Sequence, residues 1–263
     1  MDLRTSMKKI ITSLSIIGAI AAIAVGGTMA FFTDTETSTG NTFTAGGIDL
    51  TVDSFGATYN GQFIQNGWLA KDLVAERFFD LSDVKPGDQW TRNLSLHVEN
   101  NPAWVCLYPV ITANDENGIT NPEAKDGDTT ASQGELPKNV HVLVWRDYNP
   151  DNRHGVNEPF LIDSFFDVFT EVSINDSTTG TGPLRPTVDT EMIAMDLCAG
   201  THVINTQTGA VSCNGTHMDN QAQTDSLMAD MKLYVEQSRN NPNFKCSDRV
   251  VPSPTPTPIT TQL

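Results

Sequence analysis

Asn93-Leu94-Ser95-Leu96-His97-Val98 alternates polar and apolar side chains, and Glu99-Asn100-Asn101-Pro102 separates it from the more continuously apolar Trp104 to Thr112. A period of two is the mark of a β-strand with one wet face. An Asn-Asn-Pro step ends such a strand, because Asn tolerates turn conformations and Pro cannot donate to a ladder. The same cadence recurs along the chain. Ile48, Leu50 and Val52 alternate with Asp49, Thr51 and Asp53; Val140, Val142 and Val144 share one face of a strand whose other face carries His141, Leu143 and Trp145; Met231, Leu233 and Val235 alternate with Lys232, Tyr234 and Glu236. Gly, Pro, Asn and Asp clusters such as Lys85-Pro86-Gly87-Asp88 lie between them. The expected fold is all-β, a jelly-roll-like β-sandwich with long loops and one or two short helices. The helices are expected at Trp68 to Phe79 and at Asp225 to Met231, and Asn114 to Leu136, polar and Gly-rich, reads as a long surface loop.

The ends of the chain have a different character. Met1 to Lys9 is a short basic head, Ile10 to Val25 an apolar and small-residue run, and Thr28 and Ala30 stand where signal peptidase wants small residues. Residues 1–30 are therefore expected to be a signal peptide cut between Ala30 and Phe31, with signal peptidase as an export partner and the product secreted to the extracellular matrix or cell surface. The competing reading is an uncleaved anchor, since no charge falls between Lys9 and Asp34 and a bilayer needs ~20 apolar residues; Gly26, Gly27 and Thr28 interrupt it. Contact with a membrane is expected only through that segment. At the other end, residues 249–263 close in a Pro/Thr run with nothing to bury, a spacer or disordered tail. One sandwich domain is expected over residues 45–248.

Removing the leader leaves 13 Lys plus Arg against 31 Asp plus Glu. So acidic a surface excludes nucleic acid, which demands a cationic face, and disfavours anionic lipid. It suits divalent cations, although most such carboxylates simply solvate a surface. The four cysteines, Cys106, Cys198, Cys213 and Cys246, form an even set in an exported chain, which implies two disulfides with three possible connectivities. Thr201 to Asn205 and Ala210 to Ser212 read as short strands around Thr206-Gln207-Thr208-Gly209, so a Cys198–Cys213 bridge would close a small hairpin and leave Cys106 for Cys246. No C-x-x-C pair favours zinc instead.

Phe31-Phe32-Thr33-Asp34-Thr35-Glu36-Thr37 leads to Asn41-Thr42-Phe43-Thr44-Ala45-Gly46-Gly47 and a short strand, after a Gly26-Gly27-Thr28-Met29-Ala30 cleavage region. This pattern resembles the start of the TasA/camelysin family. Phe79-Asp80-Leu81-Ser82-Asp83-Val84-Lys85-Pro86-Gly87-Asp88, the Leu94 to Val98 strand and Glu99-Asn100-Asn101 resemble a recurrent block of that family, and Tyr234 to Asn241 its closing strand. The middle of the chain has no such counterpart. The resemblance implies a secreted subunit of biofilm-matrix fibres that assembles by donor-strand complementation, with itself as partner in a head-to-tail homopolymer. Residues 31–44 would be the donor segment, rich in Thr, with Phe31, Phe32 and Phe43 to fill grooves. The same stretch equally suits an N-terminal strand of its own domain. Camelysin-type members imply a different class, a cell-surface metalloendopeptidase, and a monomeric calcium-binding adhesin held by its tail is a third reading.

One constellation in the unmatched centre carries chemistry. Asp147-Tyr148-Asn149-Pro150-Asp151-Asn152-Arg153-His154-Gly155-Val156-Asn157-Glu158 places side-chain oxygens of Asp147, Asn149, Asp151 and Glu158 at positions 1, 3, 5 and 12 of a calcium-loop spacing, with the Arg153 carbonyl at 7. Ca2+ is the expected cofactor. Asn152 stands at position 6, where Gly is usual, and His154 at position 8, where an apolar residue packs. An Asx-rich turn gives the same composition without metal. No enzyme motif is present: H-E-x-x-H and G-x-S-x-G are absent, and the five histidines, His97, His141, His154, His202 and His217, lie on separate segments. No catalytic residue is expected.

Overall fold

The computed structural model describes residues 33–37 and 48–249. They form two antiparallel sheets packed face to face, an all-β sandwich. The larger sheet is built from β2 (Asp49–Ser54), β3 (Ala57–Tyr59), β4 (Gln62–Ile64), β5 (Trp68–Lys71), β6 (Gln89–Glu99), β8 (Val140–Arg146), β9 (Phe160–Phe165) and β11 (Glu191–Ala199). Its main path runs β4-β3-β6-β11-β8-β9, and β2 joins the far half of β6 with β5 outside it. The smaller sheet has the order β1 (Thr33–Thr37), β14 (Ser226–Gln237), β7 (Ala103–Asp115), β10 (Val172–Asn175). A separate hairpin pairs β12 (Thr201–Ile204) with β13 (Val211–Asn214). The helices are α1 (Asn121–Lys125) and α2 (Leu136–Asn139), and the signal segment, Phe31, Phe32, Phe43 and the Pro/Thr tail lie outside the described residues.

Alternation decides what faces the core. Leu50 and Val52, Leu94, Leu96 and Val98, Val142 and Val144 point inward from the larger sheet. They meet Val105, Leu107, Val172, Ile174, Leu233 and Val235 from the smaller. A one-residue slip in any strand would turn this set to the other face, so burial pins the register. Arg146 also joins the layers, its guanidinium donating to the Glu191 carboxylate on β11 and the Ile174 carbonyl on β10.

Both sheets are covered on their outer faces too, which is why β8 is buried along its whole length. Trp104, Cys106, Tyr108 and Tyr234 on the outside of the smaller sheet pack against Phe244 and Cys246 of the C-terminal segment. The Cys106–Cys246 disulfide fastens that segment there, Trp104 Nε1 donates to the Asn241 carbonyl at 2.8 Å, and the Arg249 guanidinium lies 4.0 Å from the Tyr108 ring. On the larger sheet, Leu143, Trp145 and Ala194 are covered by Phe160 and by Ile204 and Val211 of the hairpin. Cys198–Cys213 ties that hairpin down, so the expected bridge pairing is the one formed.

Two expected helices are strands instead. Trp68 to Lys71 runs beside β2 as β5, and the chain then continues without regular structure to Phe79. The indole of Trp68 donates to the Val52 carbonyl at 3.1 Å and stacks over Phe78 with the centroids 6.4 Å apart, while Arg92 lies 5.0 Å from its ring. A sheet edge thus uses the apolar spacing that suggested a helix. Asp225 to Met231 fails as a helical turn for a similar reason: β7 extends to Asp115 and offers Ser226 to Met231 a full ladder partner. Asn114 to Leu136 holds α1 and carries buried carboxylates, where a surface loop was expected.

The Pro86-Gly87-Asp88 turn has a packing reason. Gly87 adopts φ 92° and its amide donates to the Ala199 carbonyl at 2.8 Å, while the Asp88 carboxylate accepts from the Lys85 amide at 2.8 Å and the Asn60 side chain at 2.9 Å. Asn100 supplies the positive φ, 69°, that the β6–β7 turn needs.

Candidate functional site

The N-terminal strand occupies the edge of the smaller sheet. β1 runs antiparallel to β14, with Thr33 opposite Glu236 and Thr37 opposite Lys232. The other side of β14 is paired to β7 along its full length, and inward-facing Met231, Leu233 and Val235 fix its register. β1 therefore completes an edge that would otherwise expose the main-chain groups of Lys232 to Glu236, the kind of edge that accepts an added strand.

The Asp147 to Glu158 loop leaves the end of β8. Asp147 and Glu158 are buried, whereas Asn149, Asp151 and Arg153 are exposed. Asn152 adopts φ 61°, as the sixth position of such a loop requires. The loop satisfies most of its oxygens itself. Glu158 accepts from the amides of Asn149 at 3.1 Å and Gly155 at 2.8 Å, and Asp151 accepts from the Arg153 amide at 2.9 Å and the Asn149 side chain at 3.1 Å. Asp147 differs: the amides of Asp151 and Asn152 approach its carboxylate, but neither oxygen receives a well-aligned hydrogen bond. Burial and the charges of Glu158 and Asp151 push its carboxyl up to about 7. Asp147, Asp151 and Glu158 do not converge as a group of three ligand atoms. The histidine at position 8 does the packing expected of an apolar residue: His154 stacks on Phe160 at 4.0 Å, meets Trp145 edge-on at 5.6 Å, and points its ring nitrogens at the carbonyls of Gly209 (2.7 Å) and Glu158 (2.6 Å).

Separate in sequence, two histidines meet in the fold. Register pairing of β8 with β11 sets His141 opposite Cys198, and the hairpin brings His202 back over it. His141 Nδ1 lies 2.9 Å from His202 Nδ1, His202 Nε2 lies 2.6 Å from Asp196, and His141 Nε2 lies 3.2 Å from Asp163. Asp196 also accepts from the Thr91 hydroxyl and from Gln89 at 3.1 Å. The result is a buried hydrogen-bonded chain, Asp196-His202-His141, whose outer end lies against the exposed carboxylate of Asp163. Burial, and the neighbouring His202, lower the affinity of His141 for a proton. Spacing gave no sign of this cluster, because its members depend on strand register and a folded-back hairpin. His97 bonds Asp53 across β6 and β2 at 2.7 Å and approaches Thr190 at 3.3 Å; it makes no pair with Glu99.

The family model for camelysin metallo-endopeptidase matches residues 6–104, and no curated protein matches the chain. An endopeptidase metal calls for about three protein ligands, imidazole prominent among them, around an open position. Among the described residues no histidine joins a group of three ligand atoms, and the nitrogens of His97, His141, His154 and His202 face one another, carboxylates, a hydroxyl or carbonyls, so these residues do not fit such a centre. No helix of the described residues is long and apolar enough to cross a membrane. The matched stretch takes in Ile10 to Val25, the residues of β1 to β6 and the start of β7, and over this stretch the chain is similar to the TasA/camelysin family.

Proposed function

We propose that this protein is an exported structural subunit that polymerises head to tail into extracellular fibres, the N-terminal segment of one copy pairing with the sheet of the next. The observation that carries this reading is the β1–β14 ladder. A short strand at the chain's N-terminal end fills an edge of the sandwich, and the same pairing groups serve whether the strand comes from its own chain or from a neighbour. An exchange in which each copy gives a strand and receives one is heterologous, and when its rotation does not close it makes a filament. The disulfides and doubly covered sheets supply a rigid body for such a unit.

Electron microscopy of the chain beginning at Phe31, beside one beginning at Ala45, tests the reading, each with and without calcium. Fibres from the first and none from the second are expected. Monomers from both sink it, and a cell-surface adhesin held by its tail then takes its place. Calcium binding by the Asp147 loop belongs to the same proposal, supported by the fully buried carboxylate of Asp147 and the positive φ of Asn152. Calorimetric titration of the wild type against an Asp147→Ala, Asp151→Ala variant reads it, and identical heats end it.

A metalloendopeptidase is the second reading, favoured by the description of the matching family. Hydrolysis of an unstructured protein substrate that EDTA abolishes and metal restores would establish it. Absence of hydrolysis with either would end it.

A further inference from the structure

We propose that Glu116, Glu123, Asp128, Glu135 and Asp225 form a second, buried site for a hard divalent cation of the calcium class, closing the end of the β7–β14 ladder. Glu116 follows the last residue of β7, Asp225 precedes the first of β14, and the other three come from the excursion between β7 and β8. Two groups of three carboxylate oxygens, each within 4.8 Å of one another, share Glu116: one with Asp128 and Glu135, the other with Glu123 and Asp225.

The way each carboxylate is held points to a ligand. The capping box of α1 engages one oxygen of Glu123 through the Thr120 amide. Asp128 Oδ1 accepts from the amide and hydroxyl of Thr130, both at 2.8 Å, and that hydroxyl also reaches Glu135 Oε1 at 2.7 Å. Asp225 Oδ2 accepts from the amides of Glu135 at 2.6 Å and Leu136 at 3.2 Å, lying against Gly134, where a side chain would collide with it. Each of these four is thus clamped by one oxygen, and its second oxygen is sealed from water without a hydrogen bond. Glu116, only 7% exposed, receives no N–H or hydroxyl donor on either oxygen and lies directly against the Asp225 carboxyl group. Asn114 adds a seventh sealed oxygen, since its amide nitrogen is spent on the Gly134 carbonyl at 2.7 Å while Oδ1 stays unpartnered.

No Lys, Arg or His among the described residues forms an ion pair with any of the five. Charge of one sign buried without a counter-ion is costly, and burial of acceptors without donors adds to it. A cation removes both costs at once. An all-oxygen, carboxylate-rich donor set without His or Cys selects calcium-like ions over zinc or copper, and calcium takes about six to eight oxygens. The clamped carboxylates come from the excursion and from the residue before β14, so an ion here would tie α1, α2 and the Asp115–Ser226 end of the β7–β14 ladder into one unit.

The test is calorimetric titration of the EDTA-stripped chain (residues 31–263) with calcium chloride, in four forms: wild type, Glu116→Gln/Asp128→Asn, Asp147→Ala/Asp151→Ala, and all four changes together. A binding event kept by the Asp147/Asp151 variant and weakened at least tenfold by Glu116→Gln/Asp128→Asn supports the site. Unchanged binding in Glu116→Gln/Asp128→Asn, or no calcium heat in the wild type, overturns it. Melting curves guard against a misfolded variant. In EDTA, Glu116→Gln alone should melt no lower than wild type, because it relieves repulsion, whereas in about 1 mM calcium the wild type should gain more than the variant. A Glu116→Gln protein that melts lower in EDTA and gains as much from calcium as wild type counts against the site.

Discussion

Removing the two disulfides one at a time should give unequal losses, and the structure sets the inequality. Cys106 and Cys246 are 140 residues apart in sequence, Cys198 and Cys213 only 15. If a crosslink acts by limiting the unfolded chain, the longer loop contributes about 5 kcal/mol and the shorter about 3 kcal/mol. The short loop lies inside the long one and shortens it by about a tenth when closed, which alters the larger figure by only ~0.1 kcal/mol because the dependence is logarithmic. Packing acts in the same direction. Cys106 and Cys246 are fully buried among Trp104, Tyr108, Tyr234 and Phe244, whereas Cys213 is only half-buried. The Cys106→Ala/Cys246→Ala variant should therefore lose about 2 kcal/mol more than Cys198→Ala/Cys213→Ala. Guanidinium unfolding followed by tryptophan fluorescence measures both under identical conditions. Equal losses, or a larger loss from opening the hairpin, would refute the reasoning and put the stabilising role in the native packing of the hairpin.

Further outcomes follow from single positions. Asp147 has a raised folded pKa, so the folded state holds its proton longer than the unfolded chain; stability is highest below the unfolded value and falls as pH rises through about 7. Asp147→Asn should flatten that fall and, in EDTA, gain about 2 to 4 kcal/mol over wild type at pH 8, measured by thermal melts across pH. Alternate amides of β1 face β14, so Thr35→Pro with Glu36→Pro removes one ladder donor in either phase; fibres should disappear in electron micrographs while the melt shifts by about 1 kcal/mol or less. Gly200 adopts φ 135° and any side chain there runs into the Asn214 backbone, so Gly200→Ala should cost at least about 2 kcal/mol in chemical denaturation.

Much of the sandwich was legible because its strands put an apolar residue at every second position, facing the core. β2, β6, β8 and β14 each carry the two-residue period, and the register later pairs them as that period demands. Cysteine spacing and two strand-like runs were enough to find the hairpin bridge, and Asn152 was the residue most able to take a positive φ. Trp68 to Lys71 misled because an edge strand capped by an indole on a neighbouring carbonyl needs no helical period to be apolar in the same places. The histidine chain was invisible because His141 and His202 are 61 residues apart and meet only once β8 lies against β11 and the hairpin folds back. The buried carboxylates of the β7–β8 excursion had the composition of a solvated loop. Composition does not tell which oxygens the fold seals.

The direction of the β1–β14 ladder has a mechanical consequence. Thr33 lies opposite Glu236 and Thr37 opposite Lys232, while β14 is gripped along its other side by β7. A pull that enters β1 at Thr37 and runs along the strand strains all five facing pairs together, as shear. A pull that enters at Thr33 and runs across the sheet parts them in succession, like a zipper. Were copies joined as proposed above, tension would enter β1 at its Thr37 end. The β1–β14 ladder is oriented to resist stretching along the strand and to yield to peeling across it.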